Sequence, residues 1–286
     1  MTTERNAKKN RHPQKKENKL KDFDKLFENF LRNELKENEG LTPDELEDMI
    51  PELYERWATT PNPETDGLSP EEFFARVDDP EKLVGMFVES NEGDSNPCSL
   101  LCDRITEVKG CDAYLVKLVD KSVDPKTAIA ALNLICESGA EMPTDKMVDI
   151  MLDESADEGL REACADELKE EAGKVAEKLY AALPSASLAD KEIIADVLVE
   201  GEKDERTYEL LRELFATSDN LPFVAGLIGK YGDERAAEYL YPALDDCNYM
   251  EYIEIRNAIE QMGGVVDDTV RDFSDDEFYK AIKNLK

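Results

Sequence analysis

The side chains best able to do chemistry are scarce in this chain, and their spacing suits packing better than catalysis. The single histidine, His12, sits in a lysine-rich N-terminal stretch. A Ser-His-Asp or Cys-His arrangement in the body of the chain is therefore excluded, as is a histidine metal site. There are six cysteines: Cys98, Cys102, Cys111, Cys136, Cys164 and Cys247. Cys98 and Cys102, four apart, could share a helix face, with Cys111 as a third zinc ligand, but no fourth ligand lies near. No C-x-x-C pair occurs, and each cysteine lies in apolar, helix-like surroundings. They read as core residues of a reduced, cytoplasmic chain rather than as a disulfide framework.

Acidic side chains are abundant, 67 Asp and Glu in 286 residues, so spacing alone singles out no acid–base pair. Residues 62–73 place Gly67 at the sixth position of a calcium loop. Phe73 then stands at the twelfth, where a bidentate acid is required. Neither G-x-x-x-x-G-K-[ST] nor G-x-G-x-x-G is present, so no phosphate cradle is expected. The reading is a chain with no cofactor, no metal and no enzymatic activity.

Charge narrows the partners. Against the 67 acids stand 35 Lys and Arg, a formal charge of -32 and an isoelectric point near 4.3. Residues 1–21 carry +6, which leaves -38 on the remainder. A body this acidic offers no basic face for nucleic acid. The longest uncharged stretch, residues 179–189, is 11 long, short of the roughly 18 that a membrane span needs. The basic N-terminus lacks the apolar run of a secretory signal. It is poor in apolar residues and expected to be a disordered tail, either a solubilising leader or an arm for RNA or ribosomes.

The elements that would position any site are helices. Leu20, Phe23, Leu26, Phe27, Phe30, Leu31 and Leu35 recur at three- and four-residue spacing. Thr42-Pro43-Asp44-Glu45 and Ser69-Pro70-Glu71-Glu72 each combine a hydroxyl cap, a proline at the first helical position and a glutamate at the third. Asp79-Pro80, Asn96-Pro97 and Asp124-Pro125 are further starts. No apolar/polar alternation persists, so the fold is all-α.

From residue 97 onward the helices repeat. Glycines at 110, 139, 173, 201, 232 and 263 are spaced by 29, 34, 28, 31 and 31 residues. Each interval holds two helices, and Gly suits the corner between them because a helix often ends in a left-handed residue. Six pairs are expected, whose first helices begin near Pro97, Pro125, Glu158, Leu188, Leu221 and Tyr249. Their partners begin near Asp112, Asp145, Lys174, Asp204, Asp233 and Asp275. Such pairs bury their apolar stripes only by stacking. The expected organisation is a tail over 1–21, an N-terminal helical region over 22–92 and a solenoid over 93–286.

GDERAAEYLYPALDD (232–246) followed by YIEIRNAIEQMGG (252–264) resembles the HEAT-like repeat, including its phycobilisome-lyase-type variant. EKDERTYELLREL (202–214) echoes the same corner one unit earlier, whereas residues 97–200 follow the pattern less closely. The resemblance implies an α-α superhelix in which Asp204, Arg206, Asp233 and Arg235 form ladders between units. It carries over no activity, since repeats of this kind serve as binding surfaces. Upstream, WATTPNPETDGLSPEEFF (57–74) resembles a segment of Xre/MbcA/ParS-type toxin-binding antitoxin domains, with Asp66 where that family has a second glycine. Trp57, the only tryptophan, is expected to anchor the N-terminal helices on the first pair.

The candidate site is a recognition surface. Tyr231, Tyr239, Tyr241, Tyr249 and Tyr252 cluster beside Asp245, Asp246, Glu251 and Glu254. Asp245, Asp246, Tyr249, Glu251 and Tyr252 are the residues expected to meet a protein partner with a basic surface. The function read from the sequence is a non-enzymatic scaffold or adaptor. Its rivals are a toxin–antitoxin-type regulatory module and RNA or ribosome association through the tail.

Overall fold

A computed structural model describes residues 20–37, 42–92, 96–267 and 271–283. The expected tail, apart from Leu20 and Lys21, lies outside the described residues. Among those described the chain is all-helical, with sixteen α-helices, three short 3-10 turns and no strand. No helix among them is long and apolar enough to cross a membrane. The chain forms two compact units, residues 1–114 and 115–286.

The first unit contains α1 (Phe23–Glu37), α2 (Pro43–Thr59), α3 (Pro70–Ala75), α4 (Pro80–Ser90) and α5 (Ser99–Glu107). Its starts follow the caps in the sequence. Thr42 and Ser69 each accept a hydrogen bond from the backbone N–H of the glutamate three residues on, and that glutamate's carboxylate accepts from the cap N–H. Helix α1 packs on α2, α2 on α3, and α5 on both α3 and α4. The core they close is aromatic. Phe23 stacks on Phe73 and Phe74 with ring centroids 5.2 and 4.6 Å apart, and Trp57 lies 5.2 Å from both Phe27 and Tyr54. Trp57 thus meets the rings of Phe27 on α1 and of Tyr54 on its own helix, α2.

The connection from α2 to α3 is closed by its own backbone. The N–H of Asn62 donates to Leu68 O (2.9 Å), and the N–H of Gly67 donates to Asn62 O (3.0 Å). Asp66 and Gly67 are both left-handed, with φ of 56° and 80°. Asp66, standing where the antitoxin pattern has glycine, is the only non-glycine residue with positive φ among those described. Aspartate tolerates that region better than most residues.

Helix α6 (Asp112–Leu118) spans the division between the units, which puts α5 with the N-terminal helices. The second unit holds α7 (Pro125–Ser138), α8 (Thr144–Met151), α9 (Glu158–Glu170), α10 (Ala172–Ala182), α11 (Leu188–Leu198) and α12 (Glu205–Thr217). It continues with α13 (Leu221–Tyr231), α14 (Ala237–Ala243), α15 (Tyr249–Gln261) and α16 (Glu277–Lys283). Alternate helices pack side by side: α7 on α9, α9 on α11, α11 on α13, α13 on α15, and α8 on α10. Leu132, Met147, Leu160, Leu179, Ile194, Leu214, Val224, Leu240 and Ile255 are fully buried between them.

Glycine plays the expected corner role at four of the six positions. Gly110, Gly139, Gly232 and Gly263 have positive φ. Gly173 instead lies inside α10, because the chain turns at Glu171, and Gly201 keeps an ordinary φ. One close approach between helices depends on a glycine that the repeat did not mark. A Cβ on Gly229 of α13 would come within 2.8 Å of Ala258 Cα on α15.

Candidate functional site

The turn from α14 to α15 carries the residues expected to bind a partner, and the structure divides them. Asp245 and Asp246 are exposed and enter no ion pair among the described residues. Glu251 is committed to its own helix: it accepts from the Asn248 N–H (2.8 Å), while its own N–H donates to Asn248 Oδ1 (3.0 Å). Tyr249 packs on Phe273 and Tyr279 at 5.2 and 4.9 Å, and its N–H donates to Asp276 Oδ2 (3.2 Å). Tyr252 is buried, 4.9 Å from the same Phe273. The two tyrosines therefore clamp the C-terminal segment onto α15 and leave the acids to face solvent.

The remaining tyrosines are also largely structural. Tyr231 is buried, and its hydroxyl accepts from the Asp204 N–H and donates to the Asp204 carbonyl, both at 2.9 Å. The Tyr239 hydroxyl is buried without a partner among the described residues, and burial raises its pKa. Tyr241, 41% exposed, bonds to the backbone of Val265.

At the corners, arginine links consecutive helix pairs. Arg206 forms two bonds to Glu177 of α10, at 3.1 and 2.7 Å, and lies 3.7 Å above the Tyr180 ring. Arg235 repeats this one pair later with Glu205 of α12, at 3.0 and 3.0 Å, and lies 3.9 Å above Tyr208. Each guanidinium also bonds the Asp two residues before it, Asp204 or Asp233. The Arg206 guanidinium holds Asp204 down to about 2, and Arg235 lowers Asp233 likewise. With planar donors shared between two carboxylates and an aromatic face, these arginines are committed to neighbouring helices, and the arrangement is a structural ladder.

A second group of acids was not singled out from the sequence. Glu158, Glu162, Asp166 and Glu170 lie four apart on α9, and all four are exposed. Asp166 pairs with Lys169, whereas Glu158, Glu162 and Glu170 have no basic partner among the described residues. The signal was the plain i, i+4 spacing, which is hard to notice where acids are so common.

The thiols give no reactive centre. All six cysteines are free; Cys111, Cys164 and Cys247 are buried and the rest half-buried. Burial pushes Cys98, Cys136 and Cys164 up to about 12, far from a thiolate at neutral pH. Among the described residues no three His, Cys, Asp or Glu side chains converge to hold a metal ion. No known protein family, curated protein or solved structure matches the chain.

Proposed function

We propose that this chain is a non-enzymatic scaffold or adaptor, a HEAT-like helical-repeat protein of the cytoplasm whose acidic surface recognises a protein partner through that partner's basic residues. The observation that carries the reading is the surplus of exposed carboxylates without a cationic neighbour. Asp245 and Asp246 lie at one turn, and Glu158, Glu162 and Glu170 line one helix face. In the same unit nearly every lysine and arginine is already paired, so the unspent charge is negative. The side-by-side packing of alternate helices supports stacked repeats, an architecture that exposes long surfaces for binding. The free thiols fit a reducing compartment.

The test uses the partner captured on the full chain and identified by mass spectrometry. Long-range fields steer association and are screened over about 8 Å at physiological salt. The association rate should therefore fall about tenfold or more between low and physiological salt. Asp245→Lys with Asp246→Lys, and separately Glu158→Lys with Glu162→Lys, should weaken binding without loss of helicity. If both pairs are silent and deleting residues 1–21 abolishes binding, the tail is the operative element and the acidic-surface reading falls. If only changes at Asn62 and Gly67 act, the antitoxin-like segment is the site instead.

A further inference from the structure

We propose that residues 271–283 are an internal ligand of the acidic turn between α14 and α15, and that the partner binds there by displacing them with an arginine and an aromatic ring of its own. The inference rests on the acidic-surface reading above and adds how that surface is regulated and what the partner must present.

The turn closes around one guanidinium. Arg271 donates to the carbonyls of Leu244 and Cys247, the two residues that bracket Asp245 and Asp246, and lies 3.2 Å from Cys247 Sγ. Its planar fork of donors suits paired carbonyls, which a lysine ammonium matches less well. Leu244 is the C-cap of α14, an end that favours a cation. Arg271 also lies 4.9 Å over the ring of Phe273, and that ring packs on Tyr249 and Tyr252 of α15. The anchors are thus an arginine and, two residues on, an aromatic ring. Past them the hold is light: α16 buries no residue, Phe278 is 44% exposed, and Lys280 bonds within its own segment, to Asp275 O (2.9 Å).

Charge weakens the internal ligand and chooses its replacement. Residues 271–277 set one arginine among Asp272, Asp275, Asp276 and Glu277. Asp276 accepts from the Tyr249 N–H (3.2 Å); the other three form no hydrogen bond to α14 or α15 among the described residues. These acids adjoin a turn whose own aspartates, Asp245 and Asp246, are exposed and pair with no cation among the described residues. A segment with the same two anchors set among lysines meets attraction where the internal one meets repulsion. The occupant that fits is therefore a basic protein segment with an arginine followed two residues later by an aromatic ring.

The experiment titrates the full-length, ¹⁵N-labelled protein with acetyl-Lys-Arg-Lys-Phe-Ser-Lys-amide. The backbone amide resonances of Phe273 and Tyr279 should move to random-coil positions as the peptide saturates, and its affinity should fall as salt rises. Arg271→Lys keeps the charge but loses the fork. It should empty the turn and tighten peptide binding about tenfold while helicity is unchanged, because the competing internal ligand is weakened. The same peptide with lysine in place of its arginine should bind about tenfold more weakly at equal charge. Binding that leaves the two resonances unmoved, an Arg271→Lys protein that binds no more tightly, or no binding to either protein at about 1 mM overturns the proposal. Asp245→Lys with Asp246→Lys, added to Arg271→Lys, tests the underlying reading separately. If those reversals leave the affinity unchanged, the acidic turn is not the site and that reading falls. If they weaken binding while Arg271→Lys alone has no effect, the acidic surface stands and only the displacement is wrong.

Discussion

Gly226 and Gly229 lie within one turn of each other in α13 but face different surroundings. A Cβ on Gly226 meets nothing within 4 Å, whereas one on Gly229 meets Ala258 Cα at 2.8 Å, Ala258 Cβ at 3.1 Å and Gln261 Oε1 at 2.5 Å. The glutamine can swing away; the backbone of α15 can yield only if the two helices separate. Gly226→Ala should stabilise the protein by about 0.5–1 kcal/mol, since an interior helical glycine costs roughly that relative to alanine. Gly229→Ala gains the same propensity and adds an overpacking cost of about 1–3 kcal/mol. Subtracting one variant from the other cancels the shared gain and isolates the clash. At about 2–4 °C per kcal/mol for a unit of this size, the two melting temperatures should differ by roughly 2–12 °C. Thermal and urea unfolding followed by circular dichroism would measure this, with an unchanged m-value showing that only stability had moved. Equal stabilities for the two variants would refute the claim that the backbone of α15 leaves no room for a Cβ at Gly229.

Two further outcomes follow from the ion pairs. Asp190, 7% exposed, accepts from Arg161 (2.6 Å), whose Nε also donates to Met151 O (2.8 Å). Asp190→Ala leaves that guanidinium largely buried without its carboxylate and should cost about 3 kcal/mol in urea unfolding, and a loss under about 1 kcal/mol would contradict this. On acidification, the hydrogen bonds from Arg206 that hold Asp204 down to about 2, and those from Ser122 that do the same for Asp120, give a contribution fully present above the ordinary aspartate value, near 4, and lost as pH falls toward 2. Melting temperature should therefore drop between about pH 4 and 2, and Asp204→Asn should flatten that drop; an identical slope in the variant would refute the assignment.

The sequence by itself determined the helices. Their starts are local events: Ser69-Pro70-Glu71-Glu72 satisfies its own first-turn donors, so α3 begins where the caps say, and Asp124, Asp157 and Asn248 act likewise for α7, α9 and α15. Periodicity likewise identified the apolar stripes, because a helix face is set by spacing of three and four along one segment. The corner arginines were also legible, since Asp204 with Arg206 and Asp233 with Arg235 stand two residues apart.

What the sequence left open depended on residues far apart in the chain. Tyr252 and Asp245 look alike as surface candidates, but Phe273, brought back by the C-terminal segment, covers the tyrosine and leaves the aspartate exposed. Gly173 shared the spacing of true corners, yet the chain turned two residues earlier, where no glycine marks the place. Only the pairing of α1 with α2 brought Phe27 against Trp57 and buried its indole N–H without an acceptor among the described residues. Burial and hydrogen-bond partnership are properties of pairs of segments. A single sequence records each segment's preferences but not which neighbour packing will supply.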